Sequence, residues 1–176
     1  MGKTKLEESI RTIPDFPKPG ILFYDVTTLL ENKKAFKHSV DALAAKYKNK
    51  KIDKVVAVEA RGFIIGGAIA YKLGAGLVPV RKKGKLPWKT NSVTYELEYG
   101  TDTLEMHQDS VKPGERILIV DDLLATGGTV KAVTDLVKNQ GGKIIGIAFI
   151  IELVDLKGKD KLKEYPICSL VKFHGE

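Results

Sequence analysis

Cysteine is nearly absent from this chain. The single copy, Cys168, excludes an internal disulfide, and its apolar C-terminal setting reads as a small core residue rather than a nucleophile. No apolar run approaches the roughly 20 residues that a membrane-spanning helix needs. The first eight residues, Met1-Gly-Lys-Thr-Lys-Leu-Glu-Glu8, are charged and contain no apolar segment of the kind a signal peptide carries. Gly2 is not followed by the Ser or Thr that a myristoylation motif wants. These absences predict a cytoplasmic protein with no membrane partner. The three histidines, His38, His107 and His174, are scattered without metal-ligand spacing, so no metal is assigned to them. There is no Walker A pattern and no G-x-G-x-x-G after a strand. Internal repeats and low-complexity linkers are also missing, and 176 residues are most simply one domain, 1–176, large enough for a sizeable core.

What the chain does carry is positive charge, +7 in net. Such a balance fits nucleic acid, a polyphosphate ligand, or a basic surface without a partner. Its distribution favours the second. Arg81-Lys82-Lys83-Gly84-Lys85 is the one dense basic loop outside the tail and the helix end at 46–51. A single local cluster suits a small polyanion better than a long nucleic-acid track, so no nucleic-acid partner is expected.

The stretch with the strongest pattern is Arg116-Ile-Leu-Ile-Val-Asp-Asp-Leu-Leu-Ala-Thr-Gly-Gly-Thr129. Ile117 to Val120 is an unbroken aliphatic run, the pattern of a strand buried on both faces. Asp121 and Asp122 stop it where a parallel strand is expected to emerge. A small, flexible loop follows, Ala125-Thr126-Gly127-Gly128-Thr129. Val130, Val133, Leu136 and Val137 then recur at helical spacing. Gly127 and Gly128 allow close backbone approach to an anion, and the helix start adds unsatisfied N–H groups and the positive end of its dipole. Thr126 and Thr129 can donate hydroxyl hydrogen bonds. This is the composition of a phosphate cradle. Two carboxylates beside it would repel phosphate, so they fit another part of the ligand, either sugar hydroxyls or a Mg²⁺ ion. A lone Gly-Gly-Thr is most simply a turn; the ordered combination points to function.

Elsewhere strands alternate with helices, which predicts an α/β fold with a mainly parallel sheet flanked by helices. A short helical pattern over 3–11 precedes a Pro-rich segment, Ile13 to Asp25, read as an ordered loop laid over the body; its Phe16, Ile21, Leu22 and Phe23 need burial, and spacing alone places Phe23 in the core. Residues 33–47 form an amphipathic helix, with Thr28-Leu-Leu-Glu31 and Asn32 as competing N-terminal signals. Lys54 to Val58 is a second doubly buried strand. Glu59-Ala-Arg-Gly62 and a small-residue helix follow it, repeating the grammar of strand, polar turn and helix. A polar turn after a buried parallel strand is where α/β sheets bind ligands, which makes Arg61 as good a ligand contact as a surface ion-pair partner. Gly76 to Val80 is a short strand. Residues 89–107 alternate around Tyr99-Gly100, the signature of a projecting hairpin and a natural lid. Lys143 to Ile151 is a long buried strand, and 166–172 a final edge strand.

The sequence Ile119-Val-Asp-Asp-Leu-Leu-Ala-Thr-Gly-Gly-Thr129 resembles the phosphoribosyl-pyrophosphate (PRPP) motif of the type I phosphoribosyltransferases. Phe16-Pro-Lys-Pro-Gly-Ile-Leu-Phe-Tyr-Asp25, Glu59-Ala-Arg-Gly-Phe63, Arg81-Lys-Lys-Gly-Lys-Leu-Pro87, Leu97-Glu-Tyr-Gly100 and Glu152-Leu-Val-Asp-Leu-Lys-Gly158 look like the segments of adenine-specific members, in the same order along nearly the whole chain. The resemblance implies the type I fold, with an N-terminal hood over about 1–32 and a flexible hairpin over about 89–107. It implies transfer of the 5-phosphoribosyl group from PRPP to adenine, giving AMP and pyrophosphate, with Mg²⁺ as cofactor and a homodimer as the assembly. Asp121 and Asp122 would hold the ribose hydroxyls, Ala125 to Thr129 the 5′-phosphate, and Arg61, Arg81, Lys82 and Lys85 the pyrophosphate. Adenine would lie between Phe23 and Leu153, read by backbone near Leu22. Glu98 would be the general acid/base and Tyr99 part of the lid. The metal would be reached through PRPP, with Asp121 the side-chain candidate, and the Glu59–Ala60 peptide is expected to be cis. Tyr24 departs from the pattern, standing where many members have Arg.

Three rivals remain at this level. A relative acting on hypoxanthine, guanine or xanthine would share the PRPP motif. A PRPP-sensing regulator that binds nucleic acid would fit the net charge, although it has no use for Glu98. A receiver domain also places an Asp pair after a strand, but too little chain follows Asp122 to complete one.

Overall fold

The computed structural model describes residues 6–96 and 100–175. A 3-10 turn at Glu7–Ser9 leads into β1 (Arg11–Ile13), which pairs antiparallel with β2 (Phe23–Asp25) in a small sheet of its own. Then come α1 (Thr27–Glu31), α2 (Lys33–Tyr47), β3 (Lys54–Val58), α3 (Arg61–Leu73) and β4 (Gly76–Lys82). A hairpin of β5 (Thr90–Glu96) and β6 (Thr101–His107) follows, then β7 (Arg116–Leu124), α4 (Gly128–Asn139), β8 (Lys143–Leu153) and β9 (Ile167–Phe173). The main sheet has the order β5-β6-β4-β3-β7-β8-β9. Its frame from β4 to β9 is parallel, and the hairpin joins antiparallel where Arg81 and Lys82 pair with Glu105 and Leu104. This is the expected α/β sheet with a projecting hairpin.

The aliphatic runs lie at the centre because both faces of the sheet are covered. Val55, Leu118, Val120, Ala148 and Ile150 pack with Leu43 of α2 and with Ile65 and Ile69 of α3. Their sequence neighbours Val56, Ile117, Ile119, Ile147 and Phe149 face the other way, onto Val130, Val133, Leu136 and Val137 of α4. Successive strand residues point to opposite faces, so β-branched residues at consecutive positions are what a sheet covered on both sides requires. Helix α2 begins where its cap predicts: the Asn32 side chain accepts from the backbone N–H of Lys34 and Ala35 at 3.0 and 3.2 Å. Asn32, not the Thr28/Glu31 pair, is the cap of the long helix.

The N-terminal segment differs from its sequence reading in two ways. The helical pattern over 3–11 is only the single 3-10 turn in its described part, because Arg11 and Thr12 leave it to pair with Asp25 and Tyr24. The prolines fall in the connection between β1 and β2, outside the ladder, which is why three-residue strands survive beside them. Within that connection the Phe16–Pro17 peptide is cis, and Asp15 Oδ1 accepts from Gly20 N at 2.7 Å. The second difference concerns burial. Phe16, Ile21 and Leu22 stay largely exposed, and Phe23 is half-buried rather than part of the core. The strand alternation places its neighbour Tyr24 inward instead. Tyr24 packs its ring on Phe173 with centroids 4.1 Å apart.

Candidate active site

The acidic pair is deeper in the sheet than the sequence suggests. β7 does not end at Val120. It continues to Leu124 because β8 is long enough to keep pairing with it, Asp121 opposite Phe149 and Leu124 opposite Glu152. Asp121 and Asp122 are therefore strand residues, only 8% and 7% exposed. Burial, reinforced by the neighbouring Asp122, holds the Asp121 carboxyl well above the usual carboxylate range. Its Oδ1 accepts from the Asp122 N–H at 2.9 Å and faces the first turn of α3, where a Cβ on Gly62 would come within 2.8 Å of it. Asp122 forms a close ion pair with Arg61 Nε. The two carboxylates thus have different surroundings, one desolvated against a helix start and the other neutralised by a guanidinium.

Beyond Leu124 the chain turns through Ala125 and Thr126 into Gly127, whose φ of +78° serves as the N-terminal cap of α4. That left-handed geometry is natural for glycine and strained for other residues. No side chain caps the helix, which leaves its first N–H groups without a capping acceptor, and Gly127 to Val130 at its start line the cleft. Thr129 Oγ1 donates to the Tyr95 hydroxyl of the hairpin at 3.3 Å. The cleft has a volume of about 380 Å³ and is lined by Asp121, Asp122, Ala125 to Val130, Glu59, Arg61, Lys82, Tyr95 and Asp102 among others. A larger hollow of about 860 Å³ lies under the N-terminal turn beside α2 and Leu170. It shares none of these residues, and convergent charge rather than volume marks the smaller cleft as the site.

The basic residues are held by acids. Glu59, at the end of β3, accepts from Lys82 N at 2.8 Å and from Arg81 Nε at 3.0 Å, and pairs with Lys85 Nζ at 3.2 Å. Burial pushes its carboxyl upward, but these donors outweigh it and the net shift is downward. Lys82 Nζ pairs with Asp102 of β6 at 3.0 Å. Arg61 and Lys82 line the cleft itself, whereas Arg81 and Lys85 stand behind Glu59. The Glu59–Ala60 peptide is cis, as expected.

On the other side of Arg61, its guanidinium carbon is 5.9 Å from the Phe23 ring centroid, within cation–π range. Phe16 meets Phe23 edge to face at 5.1 Å. Arg61 is therefore the physical link between Phe23 and the acidic pair. Leu22 is exposed on the Pro-rich connection, and Leu153 is buried at the end of β8; neither lines the charged cleft. Glu98 and Tyr99 lie outside the described residues. Sequence reasoning missed three contributors as site residues: Glu59, which organises the basic loop, Asp102, which holds Lys82, and Tyr95, which reaches Thr129. Their motifs are visible in sequence, but their partners are 20 to 34 residues away.

Among the described residues, no group of three or more His, Cys, Asp or Glu side chains could cage a metal, and no helix is long and apolar enough to cross a membrane. Comparisons with known proteins agree with the geometry. Residues 25–173 match the phosphoribosyl transferase domain family. The chain is 57% identical over 169 residues to an adenine phosphoribosyltransferase of Clostridium acetobutylicum, covering 96% of this chain and 98% of that one. The crystal structure of the adenine phosphoribosyltransferase of Thermoanaerobacter pseudethanolicus superposes with a TM-score of 0.93 at 53% identity, covering 96% of this chain and 98% of that one. The enzyme of Saccharomyces cerevisiae, solved with adenine and an iminosugar bisphosphate, gives 0.91 at 38% identity over 95% and 97% of the two chains.

Proposed function

This chain belongs to the phosphoribosyltransferase family, and we propose that it transfers the 5-phosphoribosyl group of PRPP to adenine, forming AMP and releasing pyrophosphate. The observation that carries this reading is one cleft in which a buried carboxylate pair adjoins an uncapped helix start and two cations. Each part of PRPP has a chemical counterpart there. The N–H groups and hydroxyls of Ala125 to Thr129 suit the 5′-phosphate. Asp121 and Asp122 suit the ribose hydroxyls, and their charge favours the oxocarbenium character that develops as the anomeric C–O bond breaks. Arg61 and Lys82, with Arg81 and Lys85 behind them, suit the departing pyrophosphate. The bond from the purine nitrogen to the anomeric carbon forms as pyrophosphate leaves, and the proton lost by the base passes to Glu98. Adenine takes the side where Phe23 is partly open, with Leu153 as its opposite wall and backbone near Leu22 reading its amine. Closure of the hairpin with Tyr99 excludes water from the reacting centre.

The donor set also fits Mg²⁺. A small oxygen-seeking ion bound through one or two carboxylates plus substrate oxygens needs no protein cage, and the cleft offers two carboxylates rather than a closed cluster. Asp121 would be the side chain to hold the ion together with oxygens of PRPP, and the ion would supply neutralisation of the charge that develops on the leaving group. A homodimer in the cytoplasm completes the reading; Ile64 and Tyr71 of α3 and Leu77 of β4 turn outward and give such an assembly apolar surface to bury. The base is the part of this proposal to test first. Steady-state pyrophosphate release should be far faster with adenine than with hypoxanthine, guanine or xanthine. Faster turnover of guanine would sink the choice of base. No release with any of the four would instead favour a regulator that senses PRPP.

A further inference from the structure

The phosphate loop is not self-supporting. Behind it runs the turn that follows β8, and the two approach more closely than any side chain permits. A Cβ on Gly158 would lie 2.1 Å from the Ala125 carbonyl oxygen, 2.9 Å from Leu124 Cδ1 and 3.0 Å from the Gly127 nitrogen. The contact is reciprocal, because a Cβ on Gly127 would lie 2.5 Å from the Gly158 carbonyl oxygen. Backbone is thus pressed on backbone at the point where the loop turns into α4. The turn is fastened on both sides of Gly158. Lys157 before it adopts a left-handed φ of 53°. Lys159 after it pairs with Glu152 at 2.7 Å, and that carboxylate is buried on β8 directly opposite Leu124 of β7. The approach is a charge contact rather than an aligned hydrogen bond, since Glu152 Oε2 makes none.

We propose that Gly158 is a positioning residue for the 5′-phosphate of PRPP, with the Glu152–Lys159 ion pair as the clasp that holds its turn against the loop. The proposal rests on the reading of Ala125 to Thr129 as the phosphate site. Its physical basis is that an anion bound by successive N–H groups depends on where those groups point, and this loop has no capping side chain to fix them. The backbone of Gly158 supplies the missing constraint from outside the loop. The same segment begins at Leu153, so the wall assigned to adenine and the back of the phosphate loop belong to one short run of chain. That proximity makes adenine binding the internal control.

The experiment compares wild type with Gly158→Ala and with the double variant Glu152→Gln/Lys159→Met, by calorimetric titration of ribose 5-phosphate and by KM for PRPP and for adenine. Thermal melts of each protein establish folding. Folded Gly158→Ala should bind ribose 5-phosphate roughly tenfold or more weakly and raise the PRPP KM similarly, since an ångström of misplacement can cost about 100-fold. The adenine KM should stay near its wild-type value, because the nearest atoms to a Cβ on Gly158 belong to Ala125, Leu124 and Gly127 rather than to Phe23 or Leu153. The double variant should move in the same direction by about threefold, because it loosens the turn without adding an atom at the contact. Unchanged ribose 5-phosphate affinity in folded Gly158→Ala overturns the proposal, and so does an equal loss of adenine affinity. Should Gly158→Ala fail to fold, the double variant decides, and wild-type affinity in it overturns the proposal. Absence of ribose 5-phosphate binding in wild type would remove the phosphate site itself, a result distinguishable from a failure of Gly158 alone.

Discussion

Replacing Gly62 by alanine should separate activity from stability. Gly62 is in the first turn of α3, where that helix meets the end of β7. An added Cβ would come 2.8 Å from Asp121 Oδ1 and 3.3 Å from both Asp121 Cα and the Val120 carbonyl oxygen. Two opposing terms set the effect on folding. Alanine is better than glycine inside a helix by up to about 1 kcal/mol. Overpacking against backbone atoms costs about 1–3 kcal/mol. The net loss is therefore about 0–2 kcal/mol, and at 2–4 °C per kcal/mol for a chain of this size the Tm falls by no more than about 8 °C. The carboxylate has less freedom. Its closest approach is the atom assigned to a ribose hydroxyl, and the space it occupies is taken. A tenfold or greater loss in kcat/KM for PRPP, about 1.4 kcal/mol of transition-state stabilisation, is expected. Ribose 5-phosphate should still find the phosphate loop, because the three nearest atoms to a Cβ on Gly62 belong to Asp121 and Val120 rather than to that loop. The assay is steady-state AMP formation beside a thermal melt. Wild-type kcat/KM in a folded Gly62→Ala protein would refute the placement of Asp121 at the reacting sugar.

Further outcomes follow from the same geometry. Asp121→Asn should melt higher than wild type at pH 8, with the difference fading toward pH 4 while activity is lost. The sign follows from the raised carboxyl: the folded protein binds more protons than the unfolded chain between the two pKa values, so wild-type stability falls as pH rises through that window. Equal melting curves across the range would contradict it. Asp122→Asn should cut kcat far more than it alters folding, and wild-type turnover would refute its role. Phe23→Ala should mainly raise KM for adenine, and an unchanged value would assign the ring to hood packing alone. Phe149→Ala, fully buried and beside Asp121 on the adjacent strand, should cost about 3–5 kcal/mol and lower the Tm by roughly 6–20 °C; a shift under about 3 °C would mean that the core at β8 is looser than its packing indicates.

Much of the architecture is written in local pattern. α2 occupies 33–47 as its periodicity indicates, since its inward residues recur at helical spacing; of the two competing N-terminal signals, the structure selects Asn32 as the cap. The strand, acidic pair and Thr/Gly loop are legible because each demands a different residue type in order. What sequence does not show is where strands stop and which neighbours touch. Polarity at Asp121 reads as an exit from the sheet, yet pairing with the eleven-residue β8 carries β7 past it. Phe23 and Tyr24 are equally apolar in sequence, and only the register of β2 decides that Tyr24 enters the core against Phe173. Tyr24 is thus a buried ring held against Phe173. Glu59 looks like part of a turn until its three donors from the basic loop are seen. Gly158 ends a segment that carries the family resemblance, but the reason for a glycine there is not local, because its requirement is imposed by a loop 31 residues earlier.

The most direct test of the whole account is AMP formation by the purified protein from adenine and PRPP, measured with and without Mg²⁺. The account predicts stoichiometric AMP and pyrophosphate with the ion present and strongly reduced turnover when it is chelated. No AMP under saturating substrates and Mg²⁺, from a protein that melts cooperatively, would contradict it.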